Sequence, residues 1–201
     1  MSPVERAGPV PVDRDPDGYD RARRRVLWSL PTGLYVIGSR AGERWNLMTC
    51  SWVMQVATSP KLVGAAVERS SVTLGLVEER GIFTVSVLSR EDRALVRRFV
   101  KPARDVVLDQ EGRAVTIQGT PVVEVAGGVP VLADAVAWMA CRVQAGSDDL
   151  GRSPEAGDGL ASHRLLVGEV IDVGGPLAEE DAAAGRPEVL RMEDTRMNYG
   201  G

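Results

Sequence analysis

Short runs of β-forming residues, separated by turn-forming clusters, recur along this sequence and constrain its fold more than any other feature. The run at residues 34–37 is compact and β-prone, and the turn-like segment 39–42 closes it. Further segments of this character, each predicted to be a strand, are residues 45–57, 62–67, 82–88, 114–125, 136–144 and 165–173. So many short strands predict a mostly β domain, built as a small barrel with helical decoration.

Two helices are predicted between these strands. Ser70 and Ser71 offer N-caps for a helix over residues 72–79. A pattern resembling a capping box predicts a second helix over residues 89–99, and residues 102–110 are predicted to be a loop. The sequence lacks both the regular strand–helix–strand alternation and the glycine-rich motif of a dinucleotide-binding sheet, which argues against a Rossmann fold.

The ends of the chain differ from its middle. Residues 1–20 hold four prolines and little to bury, so they are predicted to be a flexible arm in front of one domain, residues 21–201. A short helix over residues 17–28, capped by Asp17, is predicted where the two meet. The polar, glycine-rich segment 146–161 has a length that is usually functional or mobile.

Side chains that carry catalysis are scarce. The chain has one histidine, His163, and two cysteines, Cys50 and Cys141. A zinc site would need all three together with a carboxylate, and no short ligand spacing supports one, so no metal site is predicted. A Ser-His-Asp or Cys-His enzyme would depend on His163 alone. If the chain is an enzyme, we therefore expect a borrowed cofactor to carry the reaction.

Charge and hydropathy restrict the partners and the location. The formal net charge is −4, which argues against nucleic-acid binding through bulk positive charge. No stretch approaches 18 consecutive apolar residues, so no membrane partner is predicted. Two distant cysteines do not make a disulfide framework, which favours a reducing cytoplasm.

The first candidate site is the segment 46–52 within a predicted strand. Alternation along a strand places its residues on two faces. One face would carry Asn46, Met48, Cys50 and Trp52. The other would carry Leu47, Thr49 and Ser51. Polar side chains and exposed backbone amides at a strand edge suit a planar heterocycle rich in acceptors, and a strand with one solvated face is the alternative interpretation.

Two further stretches have functional and structural interpretations. Arg69, Ser70, Ser71 and Thr73 surround the start of a predicted helix, where free amides, hydroxyls and a guanidinium suit a phosphate. A plain N-cap beside an exposed arginine is the alternative. His163 lies at a strand entrance, where a lone histidine is commonly structural. The cysteines are most simply buried small apolar residues.

In chain order, the segments 30–33, 46–52, 59–60, 69–73, 81–88 and 95–99 are followed by the strand that carries Cys141 and the run 163–170. Together they resemble the flavin reductase family with its FMN-binding split barrel. The resemblance spans about residues 22–173, and the order and spacing of the segments carry it, since no single motif is specific.

The resemblance implies a homodimer of six-stranded antiparallel split β-barrels that bind FMN, or FAD, in a groove near the subunit interface. The segment that would line the isoalloxazine and ribityl chain comprises Asn46, Met48, Thr49, Cys50, Ser51 and Trp52, with backbone amides, Thr49 and Ser51 as donors. The residues that would hold the 5′-phosphate are Arg69, Ser70, Ser71 and Thr73. Phe99 and the loop after it would close over the ring, and His163 would lie near flavin and nicotinamide.

The implied activity is reduction of FMN by NADH or NADPH, with a flavin-dependent monooxygenase as a partner that receives reduced flavin. Hydride transfer between the two rings needs no protein acid or base, which agrees with a chain that has one histidine. Two alternatives stay open: an FMN-bound oxidoreductase or electron carrier with another acceptor, and a flavin-binding module without catalysis. The sequence Ala161-Ser162-His163 replaces the Gly-Asp-His usual in the family, on the nicotinamide side.

Overall fold

Eleven strands and three α-helices occur in the parts of the chain that this computed structural model describes, residues 10–144, 161–179 and 187–195. The strands are β1 Tyr35–Ala41, β2 Arg44–Cys50, β3 Val53–Thr58, β4 Lys61–Glu68, β5 Ile82–Val87, β6 Val106–Leu108, β7 Ala114–Ile117, β8 Thr120–Val125, β9 Val129–Leu132, β10 Ala137–Val143 and β11 His163–Gly174. The helices are α1 Pro16–Leu27, α2 Val72–Arg80 and α3 Leu95–Arg98. The prediction of a mostly β chain with few helices is confirmed.

The strands form two antiparallel sheets. The larger has seven strands in the order β2-β1-β5-β10-β11-β4-β3, and the smaller has four in the order β6-β7-β8-β9. The predicted strand 45–57 is two strands, β2 on β1 and β3 on β4, with only Ser51 and Trp52 between them. Because these consecutive strands lie at opposite edges of the large sheet, the sheet is curved, and its two edges come close together at this link.

The helix α2 forms as the sequence predicts. The hydroxyl of Ser71 accepts a hydrogen bond from the backbone N–H of Leu74, and Gly81 ends the helix with a left-handed φ of 74°. Leu74 and Val77 are buried against the inner face of the large sheet, in a cluster with side chains of six of its strands. The inner members of this cluster include Ile37, Val63, Ala65, Phe83, Val85 and Leu166.

A second core cluster lies where β1 and β2 meet α3 and the small sheet, and its members include Leu34, Val36, Leu47, Phe99, Ile117 and Val122. One carboxylate joins the two sheets at this point. Glu124 of β8 accepts from the indole of Trp45 at 3.0 Å and pairs with the guanidinium of Arg40 at 2.8 Å. Arg40 also stacks over the Trp45 ring, 4.4 Å from its centroid. The small sheet is thereby held against the outer face of β1 and β2.

Other boundaries differ from the sequence predictions for local reasons. The predicted loop 102–110 contains β6, which is too short for a periodic signal. The predicted strand 114–125 is the hairpin of β7 and β8, which turns at Gln118 and Gly119. The predicted helix 89–99 is a 3-10 turn followed by the short α3.

The N-terminal helix also starts earlier than predicted. It begins at Pro16, and Asp15, not Asp17, is its N-cap, accepting from the N–H of Gly18 at 2.7 Å. Residues 16–20 of the predicted arm are therefore helical, although no residue of α1 is buried. The division into arm and domain stays a prediction, and the segment 146–161 lies, except for its last residue, outside the described residues. No helix in the described ranges has the length and apolarity that crossing a bilayer requires.

Candidate flavin site

A cavity of about 340 Å³ lies where the two edges of the large sheet meet. Its walls come from the end of β2, the link to β3, the ends of β4 and β11, and the segment after α3. The lining residues are Met48, Thr49, Cys50, Ser51, Trp52, Ala66, Glu68, Phe99, Val100 and His163. Seven of the twelve predicted site residues are among them, although they lie up to 115 positions apart in the chain.

The link between β2 and β3 is fixed to β4 by backbone contacts. The N–H of Ala66 donates to the carbonyl of Trp52 at 2.9 Å, and the thiol of Cys50 lies 3.5 Å from the carbonyl of Ala66. Burial raises the pKa of the Cys50 thiol to about 11, so it stays protonated at neutral pH. Cys50 is therefore a buried packing residue with a weak hydrogen bond, as is expected for a structural cysteine. Burial likewise raises the pKa of Cys141 to about 12.

Ser51 offers the cavity a free polar group. The residue is only 6% exposed, and its hydroxyl makes no hydrogen bond to the described residues, yet it is not among their fully buried unpaired atoms. The hydroxyl is therefore accessible from the cavity. It is free to donate to a bound group that carries acceptors, as a planar acceptor-rich heterocycle does.

Thr49 offers the cavity no free donor, contrary to its expected role. Its N–H donates to the carbonyl of Phe99 at 3.1 Å, and its hydroxyl donates to the carbonyl of Val96 at 2.7 Å. The two bonds hold α3 and the residue that follows it against β2. The side chain of Phe99 is fully buried in the outer core cluster, so the exposed Val100 presents the adjacent apolar surface to the cavity.

Asn46 and Thr73 lie behind the cavity. The Asn46 amide donates to the Thr73 hydroxyl at 2.8 Å, and its carbonyl oxygen accepts from the N–H of Ala103 at 2.7 Å. Both side chains are buried, and neither lines the cavity. This pair therefore connects β2, α2 and the segment after α3, which fixes the cavity walls.

The predicted phosphate residues surround the start of α2, but most of their groups are already engaged. The Arg69 Nε donates to the carbonyl of Ala161 at 2.8 Å, and Ser71 caps the helix. The Ser70 hydroxyl donates to the Glu68 carboxylate at 3.0 Å. The geometry still presents a guanidinium, a hydroxyl and the first amides of α2 at one place, which is the donor set that an anion needs.

His163 lies in the wall of the cavity between two contacting side chains. It opens β11 opposite Glu68 of β4, and its Nδ1 lies 2.9 Å from the hydroxyl of Ser162. The Trp52 ring meets it edge-on, with ring centroids 4.8 Å apart. Burial lowers the pKa of His163, and the Glu68 carboxylate opposes that shift. The imidazole is therefore neutral at pH 7, a hydrogen-bonding group and not a cation.

The sequence did not predict Glu68 or Ala66 as lining residues, or Ser162 as the partner of His163, whereas Val100 belongs to the loop expected to close over the ring with Phe99. Glu68 and Ser162 each had a signal in the sequence, because they directly precede the predicted phosphate residues and His163. Within the described ranges, no group of three or more His, Cys, Asp or Glu side chains is placed to hold a metal ion.

A larger cavity, about 590 Å³, opens elsewhere on the large sheet, between its strands and the segments 31–33 and 189–191. Its wall is mostly apolar and includes Val63, Val85, Val87, Met139, Val170 and Val173. None of the twelve predicted site residues lines it. Polar groups are few in this wall. The larger of the two cavities is therefore not the one that holds the predicted site residues.

Comparison with known proteins places the chain among flavin enzymes. A family model described as "Flavin reductase like domain" matches residues 27–194. "Flavin reductase (NADH)" of Kitasatospora aureofaciens is 34% identical over 157 residues, which cover 77% of this chain and 71% of that protein. "NADPH-flavin oxidoreductase" of Streptomyces viridifaciens is 32% identical over 152 residues, covering 76% and 71%.

A solved structure shows the same similarity in three dimensions. It is the Streptomyces globisporus C-1027 NADH:FAD oxidoreductase SgcE6 in complex with NAD and FAD fragments, with a TM-score of 0.57 and 27% sequence identity. The match covers 84% of this chain and 87% of that one. The cavity walls and the sequence relatives therefore point to the same chemistry.

Proposed function

The chain belongs to the flavin reductase like family, and from this membership we propose that it is an NAD(P)H-dependent FMN reductase. One observation supports the proposal most strongly. A single cavity gathers residues of β2, β4, β11 and the segment after α3, and Ser51 presents an accessible hydroxyl there that makes no hydrogen bond to the described residues. This donor fits a flavin, whose ring has acceptors along one edge.

Side chains in and beside the cavity have proposed parts in binding and orientation. Ser51 donates to an acceptor of the ring, while Met48 and Val100 supply apolar contact. Arg69, Ser70 and the first turn of α2 hold the phosphate of FMN, and Ser71 and Thr73 keep that turn and Asn46 in place. When bound, FMN accepts a hydride from the nicotinamide, so the protein needs to hold two rings at reacting distance and exclude water.

Neutral His163 is proposed to make a hydrogen bond to the nicotinamide amide. Its Nε2 has no hydrogen-bond partner among the described residues, and the contacts with Ser162 and Trp52 fix the ring that carries it. It moves no proton in this proposal, in agreement with a lowered pKa and a reaction that needs no acid or base.

The proposal is tested by anaerobic addition of NADH or NADPH to the purified chain with FMN, followed through the visible flavin absorbance. Bleaching of the flavin with either donor is the expected result. Flavin binding without bleaching by either nucleotide contradicts the reductase and leaves the flavin-binding module. Bleaching of a flavin that stays tightly bound instead favours the electron carrier.

We also propose that the curved large sheet is the split barrel of this family and that two copies form a homodimer. The exposed apolar side chains around the larger cavity support this, since Met54 is 66% and Val173 57% exposed. A second copy covering this rim is expected to give a dimer in light scattering after size exclusion. Met54→Glu should shift it toward monomer, and a wild-type monomer at all concentrations contradicts the proposal.

The partner and the location are proposed on the same basis. Reduced FMN that leaves the cavity would supply a flavin-dependent monooxygenase, in the cytoplasm where reduced nicotinamides are available. A coupled assay with a monooxygenase that needs free reduced flavin tests this, because an enzyme that retains its flavin would support no product.

A further inference from the structure

The Glu68 carboxylate stands beside the place where the phosphate of FMN is proposed to bind. Glu68 is the last residue of β4, lines the cavity and pairs in register with His163. Its Oε1 accepts from the hydroxyl of Ser70, one of the proposed phosphate ligands. Among the described residues it has no ion pair, so its charge is not neutralised by contact with a cation.

Before any phosphate binds, the Glu68 carboxylate is already an anion at this place, and the groups around it are engaged in other hydrogen bonds. The Nε of Arg69 is engaged by the Ala161 carbonyl, and the Ser71 hydroxyl is engaged by Leu74. The N–H of Ser71 donates to the backbone carbonyl of Glu68 itself. A phosphate that binds here has to take the Ser70 hydroxyl from Glu68 and then remain close to a like charge.

A phosphate bound at Ser70 would be repelled by the charge of Glu68, but the surroundings limit the effect. Glu68 is exposed, so solvent and salt screen its interaction, and Arg69 next to it attracts the phosphate. The repulsion acts on FMN through its phosphate and leaves a flavin without a phosphate untouched. It is present both before and after reduction of the ring, because the phosphate does not take part in the reaction.

We propose that Glu68 is an affinity-determining residue which weakens the binding of FMN by opposing its phosphate, so that flavin leaves as a product instead of remaining as a bound group. This inference rests on the proposed function and adds a reason for flavin release. A site built for a permanently bound flavin would gain from a neutral or cationic residue at this position.

The test compares FMN with riboflavin, which differs only by the phosphate, in fluorescence titrations of the full chain. Glu68→Gln keeps an acceptor for Ser70 and removes the charge. We expect it to lower the Kd for FMN about three- to tenfold at low salt, with no change for riboflavin and slower FMN release in stopped flow. Glu68→Asp keeps the charge and should leave the ratio of the two Kd values near wild type.

Glu79→Gln is the matched control, because Glu79 lies on α2, pairs with Arg44 and does not line the cavity. It should leave both Kd values unchanged. An equal change for FMN and riboflavin in Glu68→Gln, or no change for either, overturns the role of Glu68 while leaving the reductase intact. Wild type and variants that all fail to bind FMN overturn the proposed function and this inference together.

Discussion

The two cavities of the large sheet differ in size, in polarity and in how the chain builds them. The larger, about 590 Å³, is lined mostly by apolar side chains of the strands. The smaller, about 340 Å³, is lined by strand ends, a link and a loop, and hydrogen bonds hold it together. Volume alone favours the first as a binding site, whereas chemistry favours the second.

The difference shows where function resides in such a fold. Strand interiors are constrained by packing, and buried hydroxyls there, such as those of Thr84 and Ser86, are already paired with backbone groups. Strand ends bring side chains from distant parts of the sequence together, with backbone amides and hydroxyls left free. Ser51, Glu68 and His163 all lie at such ends, and each keeps a polar group available to the cavity.

Filling each cavity with a large side chain should give the largest contrast. Ser51→Phe places a ring in the small cavity and removes its free hydroxyl, so FMN affinity should fall at least about 100-fold, equivalent to about 3 kcal/mol. Leu62→Phe, on β4 in the wall of the larger cavity, should change FMN affinity less than about twofold. Fluorescence titration measures both. Equal losses in the two variants, each still folded by circular dichroism, would contradict the assignment of the site.

The hydrogen bonds behind the small cavity should contribute more to the free energy of unfolding than those in the wall of the large cavity. Asn46→Leu leaves the buried Thr73 hydroxyl and Ala103 N–H unpaired, so the free energy of unfolding should fall by about 3 kcal/mol. Gln55→Leu, in the wall of the larger cavity, loses only an exposed bond and should change it by less than about 0.5 kcal/mol. Denaturant unfolding measures both variants.

An unchanged midpoint for Asn46→Leu would mean that the walls do not depend on this residue. If stability falls as expected, the loss of FMN affinity should follow it, since the segment that carries Phe99 and Val100 is then released from β2.

The sequence predicted the parts of this site that depend on local rules. Alternation along β2 predicted opposite faces for Leu47 and Cys50, and the two side chains lie in different core clusters. The caps of α2 followed from Ser71 in the same way. The break at Ser51 and Trp52 was not predictable, because the run has no turn signal and the break depends on which strand each half pairs with.

Contacts with residues that are distant in the chain explain the remaining differences between the predicted and the observed site. Strand alternation shows where the Thr49 side chain points, but not that Phe99, fifty positions later, would accept its N–H. The burial of Phe99 and the engagement of Thr73 by Asn46 are tertiary effects of the same kind. A pattern of residue types could nominate these positions, and only packing decides which of them reach the cavity.

The two cavities should respond to opposite ends of the pH scale. Burial lowers the pKa of His163 below its usual 6.5, so the folded chain binds fewer protons there than the unfolded one. Its contribution to stability is present above pH 6.5 and is lost as the pH falls through the lowered value. Burial, with a smaller effect from Cys50, raises the pKa of Tyr35 in the larger cavity above 10, so its contribution is lost as the pH rises through that higher value.

Proton NMR can follow the acid side directly, because His163 is the only histidine of the chain. Its imidazole signals should titrate below pH 6.5, and the KM for the nicotinamide should rise over the same interval. A midpoint above 6.5 would contradict the neutral imidazole. His163→Ala should remove the acid inflection in KM while leaving the alkaline behaviour of Tyr35, seen by tyrosinate absorbance, unchanged.

The smallest effect is expected from the hydroxyl that orients His163. Ser162→Ala removes its 2.9 Å contact with Nδ1 but keeps the edge-on Trp52 ring, so the imidazole loses one of two constraints. The KM for the nicotinamide should therefore rise about two- to fivefold with little change in kcat, the cost of one exposed hydrogen bond. Thr32→Ala at the larger cavity should change neither constant. A large fall in kcat in Ser162→Ala would show that the hydroxyl acts on the reacting atoms themselves. Ser162 would then be a catalytic residue of the small cavity and not only a residue that orients His163.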